Sequence, residues 1–260
     1  MEIIDLTEET QMDYFTCLEE WSEDIKDGVC RKECWFKNMK EKGLRVKLAR
    51  NEAGVIAGMI QYAPIEYSWV EGEKLYFVYC IWVHGHKKGR GDLRKHGAGK
   101  ALIKAAEEDV KELKSDGLVV WGMILPFFMR ARWFKKQGYR KVERKGISML
   151  LWKPFSEQAV PPRWIFAKKK PELVPGKVVV TALSNGWCSG INGMTERAQK
   201  VSQEYGDKVV FQEIDVSERS AVREWGREGG LFVDGKNVYN GPPLTYDQIK
   251  KAVAKKVKQL

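Results

Sequence analysis

Arg94-Lys95-His96-Gly97-Ala98-Gly99-Lys100 is the stretch on which the reading of this chain turns. The strongly apolar run at 75–84 precedes it and reads as a strand. Beyond it, the segment 97–114 sets Leu102, Ile103, Ala106, Val110 and Leu113 at the spacing of an amphipathic helix. Glycines at that junction let the backbone turn tightly and bring several N–H groups to face one point, and the helix adds the positive end of its dipole. Arg94, Lys95 and Lys100 supply full charges, so the loop suits a di- or polyphosphate. A P-loop would need glycine at Arg94 and Ser or Thr at Ala101. A dinucleotide fingerprint would need glycine at Leu102 and a parallel βαβ start. A merely flexible glycine turn is the remaining alternative.

Outward from the loop, 44–50 and 55–62 alternate about a turn at 51–54 and join 75–84 in an antiparallel meander. Helices are predicted over 7–21, with Thr7 as N-cap, and over 29–42, stopping at Gly43. After the loop come a buried strand at 118–125, a helix at 127–137 closed by Gly138, and a hairpin at 139–144 and 147–152. Pro154, Pro161, Pro162, Pro171 and Pro175 then mark a change of texture. The chain restarts at 177 with the order βαβαββα. The domains are therefore set at 1–155, a linker at 156–176, and 177–260: an α/β chain with a central mixed sheet and a second, smaller α/β domain.

Composition narrows the class. The chain has 260 residues, 43% hydrophobic and 31% charged, which fits neither disorder nor a fibre. The apolar stretch 117–129 is broken by Pro126 and short of the roughly 18 residues of a membrane span. The acidic first ten residues lack the build of a signal peptide, so a cytoplasmic protein with no membrane partner is expected. A formal +10 charge invites nucleic acid, but no basic, aromatic-interleaved element accompanies it, so nucleic acid is not the expected partner.

Arg94-x-x-Gly97-x-Gly99, set between that strand and that helix, resembles the acyl-CoA-binding signature of the GNAT acetyltransferase superfamily. The resemblance covers about residues 1–153 and extends to the late helix and its exit at Ala131-Arg132-Trp133-Phe134-Lys135-Lys136-Gln137-Gly138-Tyr139. It implies an acetyl-CoA-dependent N-acetyltransferase acting on a small-molecule or protein amine. Residues Arg94, Lys95, His96, Gly97, Ala98, Gly99 and Lys100 would hold the CoA pyrophosphate. The strand edge at Ile81, Trp82 and Val83 would pair with the pantetheine arm, and an N–H there would polarise the thioester carbonyl. Lys87, Lys88 and Arg90 are offered to the 3′-phosphate. Where the family often places Asn and a proton-donating Tyr, this chain has Phe128 and Phe134 beside the cofactor. Tyr79 and Cys80 are the alternative acids, and His84 and Glu66 the alternative bases. Trp21, Trp35, Phe36, Tyr62, Tyr67 and Trp69 could line a partly aromatic acceptor pocket or pack the core.

The five cysteines make no disulfide scaffold and suit a reducing compartment. Cys30 and Cys34 are spaced i, i+4, compatible with a metal or a soft electrophile; without a third ligand nearby no metal is assigned, and small buried or semi-buried side chains on an amphipathic helix are the simpler reading. The last domain resembles the thioredoxin fold, with Cys188 where that family places its attacking thiol and Ile191 where a second cysteine would stand; its end resembles the YoaP-like module. Two rival functions stay open: a CoA-sensing or thiol-binding module without turnover, and a nucleic-acid binder.

Overall fold

The computed structural model describes residues 1–125 and 128–260. These separate into two compact units, Met1–Trp21 with Lys37–Trp164, and Ser22–Phe36 with Ile165–Leu260. In chain order the elements begin β1 (Glu2–Asp5), α1 (Gln11–Phe15), α2 (Glu23–Lys26), α3 (Val29–Lys40), β2 (Arg45–Arg50), β3 (Ile56–Pro64), β4 (Val70–Glu71) and β5 (Leu75–Val83). They continue with α4 (Ala98–Glu112), β6 (Gly117–Met123), α5 (Ala131–Lys136), β7 (Arg140–Lys145), β8 (Ser148–Pro154) and β9 (Arg163–Trp164).

The first unit is built on a seven-stranded sheet of order β1-β2-β3-β5-β6-β8-β7. All neighbours are antiparallel except β5 and β6, which run parallel because α4 crosses over between them. That helix buries Leu102, Ile103, Ala106 and Val110, each worth very roughly 1–3 kcal/mol of transfer out of water. It is also clasped to the sheet by polar contacts. Asp109 accepts from Arg45 Nε at 2.9 Å and from the Tyr62 hydroxyl at 2.6 Å. Burial by itself would raise the Asp109 carboxyl, but the hydrogen bonds from Arg45 and Tyr62 outweigh it and hold it low.

Several boundaries differ from the sequence reading. The helix expected over 7–21 is a 3-10 turn at Glu8–Thr10 followed by α1, because Cys17 and Leu18 adopt left-handed φ of 53° and 61°. β1 was not legible, being only four half-exposed residues. The late helix begins at Ala131 rather than 127, and 126–127 lie outside the described residues. The segment assigned to a linker at 156–176 contributes β9, which pairs with β4; Trp164 is buried and donates its N–H to Glu143 at 2.8 Å.

The second unit comprises β10 (Val178–Ser184), α6 (Ser189–Gln203), β11 (Val209–Asp215), α7 (Arg219–Trp225), β12 (Gly230–Val233), β13 (Lys236–Asn237) and α8 (Tyr246–Val257), after α2 and the first part of α3. Its sheet order is β11-β10-β12-β13, with β10 and β11 parallel and the rest antiparallel. Val178, Val180 and Ala182 pack on Met194, Ala198 and Val201 of α6 and on Ile249 and Val253 of α8. The β12–β13 turn is Asp234-Gly235, both at positive φ (49° and 71°), the two-residue type I′ geometry.

Residues 22–36 are grouped with 165–260, which departs from a first domain running unbroken from 1 to 155. The cause is glycine contact. A Cβ on Gly28 would lie 2.0 Å from the Ser189 carbonyl oxygen, and one on Gly193 would lie 2.4 Å from that of Asp24. Only two bare backbones pass that closely. Arg197, almost wholly buried, donates to the Asp24 carbonyl at 3.0 Å and to the Leu244 carbonyl at 3.2 Å, and Arg31 pairs with Glu196 and Glu213.

Candidate functional site

The parallel pairing of β5 with β6 covers only Leu75↔Gly117 to Val78↔Val120. Beyond it β5 continues to Val83 against β3, while β6 continues to Met123 against β8. A bulge assists the parting: Gln61 pairs with Cys80 and Tyr62 with Val78, so Tyr79 is the extra residue and the strand bends there. The result is a notch with an open strand edge. His84 N–H donates to Ala57 on the β3 side, so by alternation the N–H groups of Ile81 and Val83 face the notch. Among the described residues, Ile81 N–H meets the Met129 sulfur at 3.4 Å, a weak acceptor. At the closed end the Trp121 indole donates to the Tyr79 carbonyl at 2.9 Å.

α4 starts beside this notch. Gly97 is its N-cap at φ +89°, a left-handed conformation that favours glycine, and it offers no side-chain cap. The first bond of the helix runs from Ala101 N–H to the Gly97 carbonyl. The N–H groups of Ala98, Gly99 and Lys100 therefore have no acceptor within the helix, and they gather at its positive end. A Cβ on Gly99 would lie 3.4 Å from Trp133 and 3.7 Å from Val83, which fixes the helix start against the notch edge. Lys95, His96 and Lys100 are exposed around it. Arg94 is also exposed, with its guanidinium on Asp92 at 2.6 and 2.8 Å, and these hydrogen bonds hold the Asp92 carboxyl far below the usual range.

The basic run before the loop divides. Arg90 is no phosphate ligand: it is tied to Asp13, to Glu20 and to the Ile56 carbonyl, and straps its loop to the N-terminal segment. Lys87 and Lys88 are both exposed, Lys88 lying over the Trp21 ring at 5.0 Å.

The acid–base candidates are not gathered at one point. Cys80, Trp82 and His84 alternate onto one face of β5, the face on which Tyr14 donates to Gln61. His84 is fully buried. Its Nδ1 is 2.7 Å from the Gly91 carbonyl, which can only accept, so Nδ1 is the donor there, and Nε2 makes no hydrogen bond among the described residues. The His86 ring lies 5.7 Å away, and its Nε2 is 3.2 Å from Glu19, whose carboxyl is raised by burial despite that neighbour. Glu66 stands apart: it is exposed on a 3-10 turn, and its charge is felt at Tyr76, at the start of β5. Tyr79 spends its proton on the Tyr67 carbonyl at 2.7 Å, so it is poorly placed as an acid. Phe134 is wholly buried against Trp133 and Tyr139 and packs the core rather than a cofactor, while Phe128 stacks with Trp82 and Trp121 near the notch. Of the aromatic pocket candidates, Tyr62 and Trp69 are core, and Trp35 packs against Gly186 in the second unit. Glu19 and His86 were missed by sequence reasoning; only the two-residue spacing of His84 and His86 hinted at a shared environment.

In the second unit Cys188 is the N-cap of α6 and is half-buried. The loop before it is internally satisfied. Asn185 Oδ1 accepts from Cys188 N–H and Asn192 Oδ1 from Gly186 N–H, both at 3.1 Å, while Asn192 Nδ2 donates back to the Gly186 carbonyl. Burial, then the nearby charges of Cys188 and Glu228, push the Tyr239 phenol up.

No family model and no curated protein matches this chain. Solved structures similar to it include an acetyltransferase of the GNAT family from Staphylococcus aureus Mu50, at 16% identity over 60% of this chain and 99% of that one, with a TM-score of 0.43. A ribosomal-protein-alanine N-acetyltransferase from Brucella melitensis is 15% identical over 60% of this chain and 100% of its own, TM-score 0.44. A GNAT family acetyltransferase from the same organism, in complex with acetyl-CoA, is 14% identical over 62% and 90%, TM-score 0.41.

Proposed function

We propose that the first unit is an acetyl-CoA-dependent N-acetyltransferase of the GNAT type, acting on an amine. The observation that carries this is the parting of β5 from β6 beside a glycine-capped helix start: an open strand edge and an anion site, adjacent to one another. Ala98, Gly99 and Lys100 would hold the pyrophosphate by N–H groups, and Ile81 and Val83 would take the amides of the pantetheine arm as an added strand does. Acetyl-CoA supplies an acyl group already activated as a thioester. His84 Nε2 would accept the proton that the amine must lose, and the half-exposed His86–Glu19 pair would pass it to solvent.

A second reading, binding of CoA without turnover, is favoured by one observation. Tyr79 spends its proton on the Tyr67 carbonyl, and Phe134, which cannot donate one, stands where the family often has the Tyr that protonates the departing thiolate. Release of free CoA across an amine panel separates the two. We expect turnover that falls on the order of 10²–10³-fold in His84→Gln with CoA affinity retained. CoA binding with no release for any amine would establish the second reading, and no CoA binding at all would overturn both.

For the second unit we propose a thioredoxin-like, YoaP-like accessory domain, supported by its element order, its sheet order and a single cysteine at the first helix start. Ile191 in place of a second cysteine leaves monothiol chemistry, thiol-ligand binding or a redox scaffold that no longer turns over.

A further inference from the structure

We propose that Cys30 and Cys34 form a two-thiolate site for a soft, two-coordinate monovalent cation of the Cu(I) class, independent of the acetyltransferase reading. By sequence alone these residues read as small buried or semi-buried side chains. The structure removes that explanation. α3 buries Lys32, Trp35, Phe36 and Met39, one helical stripe, whereas Cys30 and Cys34 are both exposed on the other side. Cysteine is among the most buried of residue types, so two on one solvent face are not there for packing.

Their spacing selects the chemistry. Side chains four apart on a helix have Cβ atoms about 5–6 Å from one another. A disulfide wants roughly 3.5–4.5 Å, so the pair is not arranged to oxidise. Two sulfur–metal bonds of roughly 2.3 Å set in line span about 4.6 Å, which two flexible thiolates on adjacent turns can reach. No group of three or more His, Cys, Asp or Glu suited to a metal occurs among the described residues, so the tetrahedral set that zinc requires is not offered. Thiolate ligands and low coordination number together favour Cu(I). Binding joins one Cu(I) to two sulfurs and releases two protons, with no change of oxidation state.

The full chain, kept reduced and anaerobic, is titrated with Cu(I) against bathocuproine disulfonate. We expect capture of one Cu(I) at this site, at least a tenfold loss of affinity in Cys30→Ser and in Cys34→Ser, and no change in Cys17→Ser, Cys80→Ser or Cys188→Ser. Circular dichroism checks that each variant is folded, which solvent-facing serines should permit. Undiminished capture in either helix variant, or loss of it in Cys17→Ser, Cys80→Ser or Cys188→Ser, would overturn the assignment.

Discussion

Each unit contains one parallel strand pair followed from its first strand into a helix, and the two pairs behave differently. β10 and β11 stay in register over seven residue pairs, from Val178↔Val209 to Ser184↔Asp215. β5 and β6 part after four. The helix starts differ in the same sense. At α6 the loop N–H groups of Gly186 and Cys188 are answered by Asn192 and Asn185 and the N-cap is a cysteine, whereas at α4 the N-cap is Gly97 at left-handed φ, with no side chain over the helix start; neither N-cap makes a side-chain cap hydrogen bond. A closed pair with a satisfied loop holds its fold together. An open pair beside a helix start that carries no side chain leaves room for an extended, anionic ligand. On the function proposed above, the same supersecondary unit would serve recognition in the first half.

The largest effects should come from the glycines on either side of this contrast. In Gly186→Val the new side chain would meet Trp35 at 2.6 Å from its Cβ while φ stays at +70°, so we expect a loss on the order of 3–5 kcal/mol, read as a lowered denaturation midpoint. In Gly97→Val nothing lies within 4 Å of the added Cβ, so only the left-handed φ is penalised, by about 1–2 kcal/mol. CoA affinity measured by calorimetry should nevertheless fall about 100-fold or more, because the N–H cradle shifts. Equal affinity with a full loss of stability would erase the distinction between the two loops.

A smaller effect tests the open edge directly. Ile81→Pro removes a donor that faces the notch rather than β3, so the sheet should survive while CoA binding weakens about tenfold, the worth of one hydrogen bond of roughly 1–1.5 kcal/mol. Unaltered binding would mean that the ligand does not add to this edge. The smallest effect concerns Asp109, which fastens α4 behind the site. Its folded-state carboxyl lies below its ordinary value of about 3.9, so its contribution is present above that pH and fades as acid titrates it through the lower folded value. Urea midpoints should show Asp109→Asn losing about 1–2 kcal/mol at pH 7, and progressively less as the pH falls through the lowered folded-state value of the carboxyl.

The sequence by itself determined the glycine loop, the amphipathic period of α4, the meander before it, the restart at 177 and the order of elements that follows. These are local signals: turn residues and apolar periods act within a few positions of one another. The tertiary structure alone decided what depends on distant contact. It showed that Arg90 is consumed by Asp13 and Glu20, that Tyr79 is bulged and spends its proton on Tyr67, and that His84 has Glu19 and His86 as company. It also gave residues 22–36 to the second unit, since nothing local reveals that Gly28 must pass the Ser189 carbonyl with no room for a side chain. The notch itself is of this kind. Whether two parallel strands stay paired or part is set by a bulge and by what packs between them, and neither is written in the pattern of either strand alone.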